Sequence, residues 1–189
     1  MLNSEISEQD VAKAVQCAQF GDLATLIQLH KAGKVAHNTV DREGCSLLQW
    51  AAINNRIDIA EFLLEIKTDY TFCGGKLNEN ALQWAVRMKN IEMAHLLLCW
   101  EKETSTETKS RLLEHTDICG DNAIHLACQT RDSPTLFVLL AHGANPDSTI
   151  RRPDANAPMS DVDPNSPSCE GYSPLMYICQ KFPHDIDMV

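Results

Sequence analysis

The sequence predicts an all-α solenoid of about four stacked helix–turn–helix repeats plus a partial fifth, on two observations. The first is self-similarity: the run that begins at Ser46 returns at Asn80, 34 residues later, and both copies contain Leu-Gln-Trp-Ala. The second is the spacing of apolar residues within each copy, which fits two short amphipathic helices joined by a turn. A single helix–turn–helix unit cannot bury its apolar face, but neighbouring units can cover one another. A repeat of fixed length in the sequence therefore indicates a stack of such units.

Two more copies extend the series. Asn122 to Cys128 repeats the first helix of the unit, and another copy opens at Gly171 and reaches Tyr177. A period of about 33 residues around a Thr-Pro-Leu-His-x-Ala-like core is typical of the ankyrin repeat. We therefore expect an ankyrin-repeat solenoid.

The domain boundaries follow from composition. Residues 1–9 are polar and predicted to be flexible, and residues 10–144 hold repeats 1 to 4, with a charged insertion loop at about 101–111. The Pro/Asp/Ser-rich stretch 145–168 is predicted to be a loose loop. Residues 169–189 begin a fifth repeat without its second helix. From this we expect a fragment, a short isoform or an incomplete gene model.

Composition excludes several classes of partner. The formal charge of −10 over 189 residues disfavours nucleic acid, because phosphates require clustered Lys and Arg. No apolar run approaches the roughly 18 residues of a membrane span, and the N-terminus shows no secretory signal. The eight cysteines are scattered without a Cys-x-x-Cys pair, as expected of reduced thiols. We expect a cytoplasmic chain without a membrane span, nucleic-acid partner or cofactor.

Local turn chemistry supports the repeat assignment. Ser46 is predicted to cap the first helix of its repeat, and Asn55 falls in a turn between helices where a left-handed backbone is needed. Gly74-Gly75-Lys76 does not have the spacing of a phosphate-binding loop, so we predict a hairpin-like turn between repeats.

Motifs for catalysis and metal binding are missing from the sequence. The histidines show no His-Glu-x-x-His or other metal spacing, and His125 is expected to bond the backbone of a neighbouring loop. No Gly-x-Ser-x-Gly elbow occurs, and Asp161 and Asp163 fall in the predicted loose loop. We predict no catalytic residue and no metal site, and hence no enzyme within this chain.

One position of the repeat carries large apolar residues. In the four copies it is occupied by Trp50, Trp84, Leu126 and Tyr177, which stacking would align as an apolar stripe on the concave side of the solenoid. Such aromatics either fill space between repeats or act as binding hot spots that stack on a proline of an extended peptide. Space-filling is favoured for Trp50 and binding for Trp84.

The central repeats resemble a particular family. The run Leu-Leu-Gln-Trp-Ala-Ala-Ile-Asn-Asn-Arg-Ile-Asp at 47–58, the turn Gly-Gly-Lys-Leu-Asn at 74–78 and Leu-Gln-Trp-Ala at 82–85 are similar to the ankyrin domain of the huntingtin-interacting DHHC palmitoyltransferases. The similarity is strongest over residues 41–100. It implies cytosolic repeats that recruit substrates to a Golgi membrane enzyme, whose separate DHHC domain acylates them.

The resemblance also implies a binding site. In that family an Asn and a Trp of the groove grip a short segment with a β-branched residue and a Gln-Pro pair, and they fall on Asn54 and Trp84. Trp50 is a third candidate, one repeat earlier. The implied partners are cytosolic proteins that contain such extended motifs.

This sequence departs from the family pattern at several points. Gln49 and Gln83 replace the motif His, the inter-helix glycines become Asn55, Lys89 and Arg131, and the Asp-His-His-Cys motif is absent. We therefore expect a substrate-recruiting module that does not itself transfer an acyl group. The alternatives are a free-standing cytosolic adaptor or decoy and a generic repeat without peptide specificity.

Overall fold

The computed structural model describes residues 6–107 and 109–148. Within this range the secondary structure is helical, apart from isolated antiparallel bridges between Val40 and Ser46 and between Gly74 and Glu79. The described helices are α1 (Glu8–Phe20), α2 (Leu23–Lys31), α3 (Leu47–Ile53), α4 (Ile57–Glu65), α5 (Ala81–Arg87), α6 (Ile91–Thr104), α7 (Arg111–Glu114), α8 (Ala123–Thr130) and α9 (Ser133–Ala141). The all-α prediction is confirmed.

The helices stack as pairs. The first helices of the repeats, called inner helices here, are α1, α3, α5 and α8, and each packs on the next. The outer helices α4, α6 and α9 also pack in series. Fully buried alanines, among them Ala51, Ala85 and Ala127, lie along the inner helices and allow their close approach. One continuous core therefore runs through all four repeats.

Each central inner helix begins with the same cap. Ser46, Asn80 and Asn122 accept a hydrogen bond from the third residue of α3, α5 and α8, and that residue bonds back to the cap backbone. Two orphan backbone N–H groups are thereby satisfied at each helix start. The capping role predicted for Ser46 is confirmed.

The turns between inner and outer helices adopt a left-handed backbone without glycine. Asn55, Lys89 and Arg131 have φ values of 52°, 60° and 52°, whereas the first repeat uses Gly21 at 86°. A residue with a Cβ atom is strained in this conformation, by about 1–2 kcal/mol. The left-handed turn geometry is therefore kept although the usual glycine is replaced in these three repeats.

The segment 101–111 differs from the predicted insertion loop. Helix α6 continues to Thr104, and α7 begins at Arg111. The cause is Glu101, which is buried and accepts hydrogen bonds from Ser110 Oγ and from the backbone N–H groups of Arg111 and Leu112. The first N–H groups of a helix have no partner within the helix, and a carboxylate there accepts hydrogen bonds from them. This role explains why the charged side chain of Glu101 points into the protein.

The ends of the chain are only partly described. Helix α1 begins at Glu8 with Ser7 as its cap, so it includes the last two residues of the segment 1–9 that was predicted to be flexible. The loop predicted at 145–168 lies outside the described residues from position 149 onward, and so does the partial fifth repeat at 169–189.

Candidate functional site

Trp50 is held in place by an acidic partner. Its half-buried ring packs against the core, and its indole Nε1–H donates to Oδ2 of Asp41 over 2.8 Å. The other oxygen, Oδ1, accepts from the backbone N–H groups of Glu43 and Cys45 and shapes the turn before α3. Because the polar atom of Trp50 is already paired, this residue fits the space-filling interpretation.

Trp84 occupies the same position one repeat later without such a partner. Asp41 lies nine residues before Trp50, and the residue nine positions before Trp84 is Gly75, which has no side chain to accept a bond. The Nε1 atom of Trp84 is buried and has no hydrogen-bond partner among the described residues. The indole of Trp84 therefore keeps an unused donor beside a half-buried ring.

Asn54 lies at the C-terminal end of α3. Its side-chain Nδ2 donates to the carbonyl of Trp50 over 2.9 Å, four residues earlier, which fixes the orientation of the amide. Asn90, from the next repeat, donates to the carbonyls of Ala52 and Ile53 and holds the end of the same helix. Oδ1 of Asn54 makes no hydrogen bond with the described part of the chain.

The substituted glutamines hold the hairpin-like turns against the inner helices. Gln49 Nε2 donates to the carbonyl of Glu79 over 2.5 Å, and Gln83 Nε2 donates to the carbonyl of Asp121 over 2.9 Å. His125 makes the matching contact in repeat 4, where its Nε2 lies 3.1 Å from the carbonyl of Ser148. Gln thus serves where the motif usually has His, and the prediction for His125 is confirmed.

The hairpin-like turns of successive repeats are bonded to one another. Gly75 N–H donates to the carbonyl of Gly44, and Ile118 N–H donates to the carbonyl of Leu77, so successive turns are tied together. A Cβ atom at Gly74 would lie 2.1 Å from the carbonyl oxygen of Gly44, which requires glycine there. The hairpin-like turn predicted for Gly74-Gly75-Lys76 is confirmed.

An apolar groove opens between the first inner helix and the turn at 40–43. It encloses about 820 Å³ and is lined by residues that include Val11, Val15, Val40 and Trp50. Neither Asn54 nor Trp84 lines it. Trp84 instead lies on the next inner helix, α5, which packs against α3. Trp50 therefore lines this groove, whereas Asn54 and Trp84 lie outside it.

The predicted apolar stripe is wrong at Leu126. This side chain is fully buried, because α8 packs against α5 and α9 as an interior element of the stack. A leucine without a polar atom can be enclosed completely, whereas the indoles of Trp50 and Trp84 are only partly enclosed. Tyr177, the fourth member, lies outside the described residues.

A buried charge cluster lies beside Trp84. Arg87, one turn further along α5, contacts the carboxylates of Glu79 and Asp117 from two successive turns. Burial raises the pKa of Glu79 despite the opposing effect of Arg87, and burial also raises the pKa of Asp117. Arg87 therefore links the turns of repeats 3 and 4.

A second polar cluster lies on the opposite, outer-helix side, where no site was predicted. His95 and Cys99 on α6 meet His142 at the end of α9. The sequence signal is a His-x-x-x-Cys spacing, which places both side chains on one helix face. The third member is 43 residues after Cys99 in sequence, so spacing alone did not reveal it. Burial and the neighbouring His95 and Lys102 lower the pKa of His142, which favours its neutral form.

Across residues 6–107 and 109–148, none of the helices combines the length and the apolar character that crossing a bilayer demands.

Comparison with known proteins identifies the repeats. The family described as "Ankyrin repeats (3 copies)" matches residues 14–110, and the family "Ankyrin repeat" matches residues 119–151. The first match covers just over half of the chain, and the second falls on the fourth repeat. The family matches thus cover the same part of the chain as the four stacked helix pairs.

Three relatives illustrate the similarity. ZDHHC13 of Danio rerio is 31% identical over 175 residues, which is 93% of this chain and 22% of that protein. Palmitoyltransferase AKR1 of Lachancea kluyveri is 34% identical over 124 residues, or 65% of this chain and 16% of that protein. Palmitoyltransferase ZDHHC13 of Homo sapiens is 37% identical over 97 residues, or 51% of this chain and 15% of that protein.

The chain therefore spans between 15 and 22% of the length of these relatives. The resemblance of its central repeats to those of palmitoyltransferases is confirmed by these similarities. The family matches and the stacked helix pairs together show that the chain belongs to the ankyrin-repeat family.

Proposed function

We propose that this protein-interaction module binds short extended peptides with a β-branched residue and a Gln-Pro pair, along a groove formed by the neighbouring inner helices that end at Asn54 and carry Trp84. The observation that carries the proposal is the difference between its two equivalent tryptophans. Trp50 has Asp41 as a fixed acceptor, whereas Trp84 has none among the described residues. No bond to a turn of the described chain ties the half-buried indole of Trp84, whose accessible ring surface can stack on a proline. Tryptophan is among the residue types that dominate peptide recognition.

Asn54 supplies the polar half of the site. Its Nδ2 is used to hold the amide against the carbonyl of Trp50, which leaves Oδ1 to accept from a peptide N–H. A preorganised acceptor loses little side-chain entropy on binding. The amide is thus suited to fix the register of an extended backbone while Trp84 contacts a proline ring.

The spacing of the two residues fits a short motif. Asn54 and Trp84 belong to neighbouring inner helices that pack together, and packed helices lie about 8–10 Å apart. An extended chain rises about 3.3–3.6 Å per residue, so about three peptide residues connect the two contacts. A β-branched residue followed closely by Gln-Pro is of this length.

The wider role follows from the relatives. Proteins named palmitoyltransferases share these repeats, and the chain spans a small part of their length. We infer that the module recruits substrates for protein-cysteine S-acylation at the cytosolic face of the Golgi membrane, and that another domain carries out the transfer. The groove then determines which proteins are presented.

Binding of a fluorescently labelled peptide tests the proposal. The peptide carries Val or Ile and Gln-Pro, and anisotropy is recorded for the wild type, Asn54→Ala and Trp84→Ala. We expect micromolar affinity for the wild type, about −8 kcal/mol. Each substitution should weaken binding by about 2 kcal/mol, or roughly 30-fold.

Matched controls separate binding from folding. Asn55→Gly changes the exposed neighbour of Asn54 at a left-handed position that glycine tolerates, and Phe137→Ala removes an aromatic ring that is 67% exposed on α9. Both should bind like the wild type, with circular dichroism confirming that all variants are folded. Equal affinity of the wild type and Trp84→Ala would refute the proposed site.

A further inference from the structure

Three potential metal ligands meet on the outer-helix side of repeats 3 and 4. The ligand atoms of His95, Cys99 and His142 all lie within 4.8 Å of one another. None of the three was assigned a role in the peptide groove, which lies along the inner helices. The cluster is thus a separate feature of the fold.

Helix geometry places two of the ligands. His95 and Cys99 are four residues apart on α6, so both side chains project from the same face of that helix. The Sγ atom of Cys99 lies 3.6 Å from Nε2 and 3.8 Å from Nδ1 of His95. This His-x-x-x-Cys pair provides a thiolate and an imidazole at close range.

The third ligand is brought by the adjacent repeat. His142 terminates α9, and its backbone N–H donates to the carbonyls of Val138 and Leu139, which fixes its position. Its ring meets that of His95 edge to face, with ring centroids 5.5 Å apart and an interplanar angle of 79°. Because α6 and α9 pack together, the two imidazoles remain close.

The donor set matches one class of ion. Zinc is bound tetrahedrally by Cys sulfur at about 2.3 Å and His nitrogen at about 2.0–2.1 Å, which places such ligand atoms about 3.3–3.6 Å apart. The 3.6 Å separation of Cys99 Sγ and His95 Nε2 already meets this requirement. Small side-chain rotations would bring His142, which is only half-buried, to the same range.

We propose that His95, Cys99 and His142 form a zinc-binding site that connects the outer helices of repeats 3 and 4. The thiolate compensates part of the ion's charge, and two neutral imidazoles complete the protein ligands. The fourth position is open to water or to a ligand from a partner. Since the ion contacts both α6 and α9, its binding stabilises the contact between the two repeats.

Cobalt and zinc titrations test the site directly. The full chain, reduced and freed of metal with a chelator that is then removed, is titrated with Co²⁺ alone, which reports a bound thiolate through a charge-transfer absorption band. Zn²⁺ alone is then added in competition. We expect one equivalent of Co²⁺ to produce the band and Zn²⁺ to abolish it, together with a rise in the melting temperature.

Single substitutions distinguish this site from other cysteines and histidines. Cys99→Ser should abolish the charge-transfer band, and His95→Gln or His142→Gln should weaken Co²⁺ binding by at least the roughly 10-fold that loss of even an outer-shell partner causes. Cys73→Ser and His37→Gln change a half-buried cysteine and an exposed histidine elsewhere, and they should bind like the wild type.

Two results would overturn the proposal. One is a Co²⁺ spectrum in Cys99→Ser that equals that of the wild type, which would place the bound thiolate elsewhere. The other is the absence of any charge-transfer band in the wild type. Because His95 is exposed, His95→Gln is not expected to disturb folding, so a loss of binding in that variant reports on the ligand itself.

Discussion

The indole Nε1–H of Trp50 donates to Oδ2 of Asp41 over 2.8 Å, and this bond distinguishes Trp50 from its equivalent in the next repeat. Gly75 replaces the aspartate before Trp84, so the second indole has no acceptor among the described residues. The same helical position therefore differs between the two repeats. In repeat 2 the indole is bonded to the turn at 40–43, and in repeat 3 its N–H is buried without a partner in the described part of the chain.

Asp41→Asn tests the structural role assigned to Trp50. The variant retains one carbonyl oxygen for the backbone N–H groups of Glu43 and Cys45, but its NH₂ group faces the indole N–H. A hydrogen bond to a charged acceptor contributes about 1.5–3 kcal/mol, so we expect a loss of about 1.5 kcal/mol in the free energy of unfolding. Urea denaturation followed by circular dichroism measures it.

The control for this prediction is Glu43→Gln. It makes the same charge change in the same turn at an exposed side chain, and its effect should stay within about 0.5 kcal/mol. A similar small effect for Asp41→Asn would mean that the bond to Trp50 contributes nothing.

Gln83→Ala should be strongly destabilising. It removes the acceptor of the Asn80 N–H and the donor to the Asp121 carbonyl, and all of these groups are buried. The Asn80 N–H then lacks its acceptor, whereas the Asp121 carbonyl keeps the bond from the Asp117 N–H. A buried polar group left unpaired costs about 1–3 kcal/mol, so we expect a loss of about 2 kcal/mol. Gln83→His should lose less, because His125 bonds the neighbouring loop from the same position in repeat 4.

Gln28→Ala serves as the comparison for Gln83→Ala. Gln28 is exposed on α2, and alanine is at least as favourable in a helix. If both alanine variants had the same stability, the contact between the two repeats through Gln83 would be unimportant.

Much of this fold follows from the period and the cap positions. The repeated Leu-Gln-Trp-Ala run predicts the inner helices because helical spacing and capping are local properties. The segment 101–111 was predicted to be a loop because charged residues in a polar stretch usually face solvent, and only the three-dimensional path of the chain places Glu101 at the start of α7. Leu126 was misjudged because burial depends on the neighbouring repeat.

The sites were predictable to different degrees. Trp50 and Trp84 are equivalent in sequence, and the decisive difference, Asp41 against Gly75, is visible in the sequence once the register of the repeats is known. The cluster of His95, Cys99 and His142 was not predictable from spacing, because it depends on how the outer helices α6 and α9 pack. Local sequence patterns do not show which distant residues the packing of the repeats brings together.

Lys89→Gly should stabilise the protein. Lys89 has φ of 60°, where glycine avoids a strain of about 1–2 kcal/mol, although glycine also increases the entropy of the unfolded chain. We expect a net gain of about 0.5–1 kcal/mol in the free energy of unfolding, measured by urea denaturation. Lys13→Gly, in the middle of α1, should instead lose about 1 kcal/mol. A loss in both variants would contradict the strain argument.

Stability should depend on pH through Glu79. Burial raises the pKa of this carboxyl group above its ordinary value of 4.5. The folded state therefore holds the proton more tightly than the unfolded state, and the contribution of Glu79 is complete below pH 4.5 and is lost as the pH rises through the folded pKa.

Glu79→Gln removes this titration. The free energy of unfolding of the wild type, relative to that of the variant, should decrease as the pH rises above 4.5. Denaturation curves recorded at a series of pH values give this difference, with Glu61→Gln on the exposed face of α4 as a matched change. A wild-type advantage that grows with pH would show that Arg87 outweighs burial and lowers the pKa.

A double-mutant cycle between Trp84 and the proline of the bound peptide tests the central claim most directly. Anisotropy gives the affinity of the wild type and Trp84→Ala for a Gln-Pro peptide and for its Gln-Ala counterpart. If the ring stacks on proline, replacing proline should weaken binding to the wild type but hardly to Trp84→Ala, with a coupling energy of about 1 kcal/mol. Strictly additive losses would show that Trp84 and the proline do not meet, and would contradict the proposed groove.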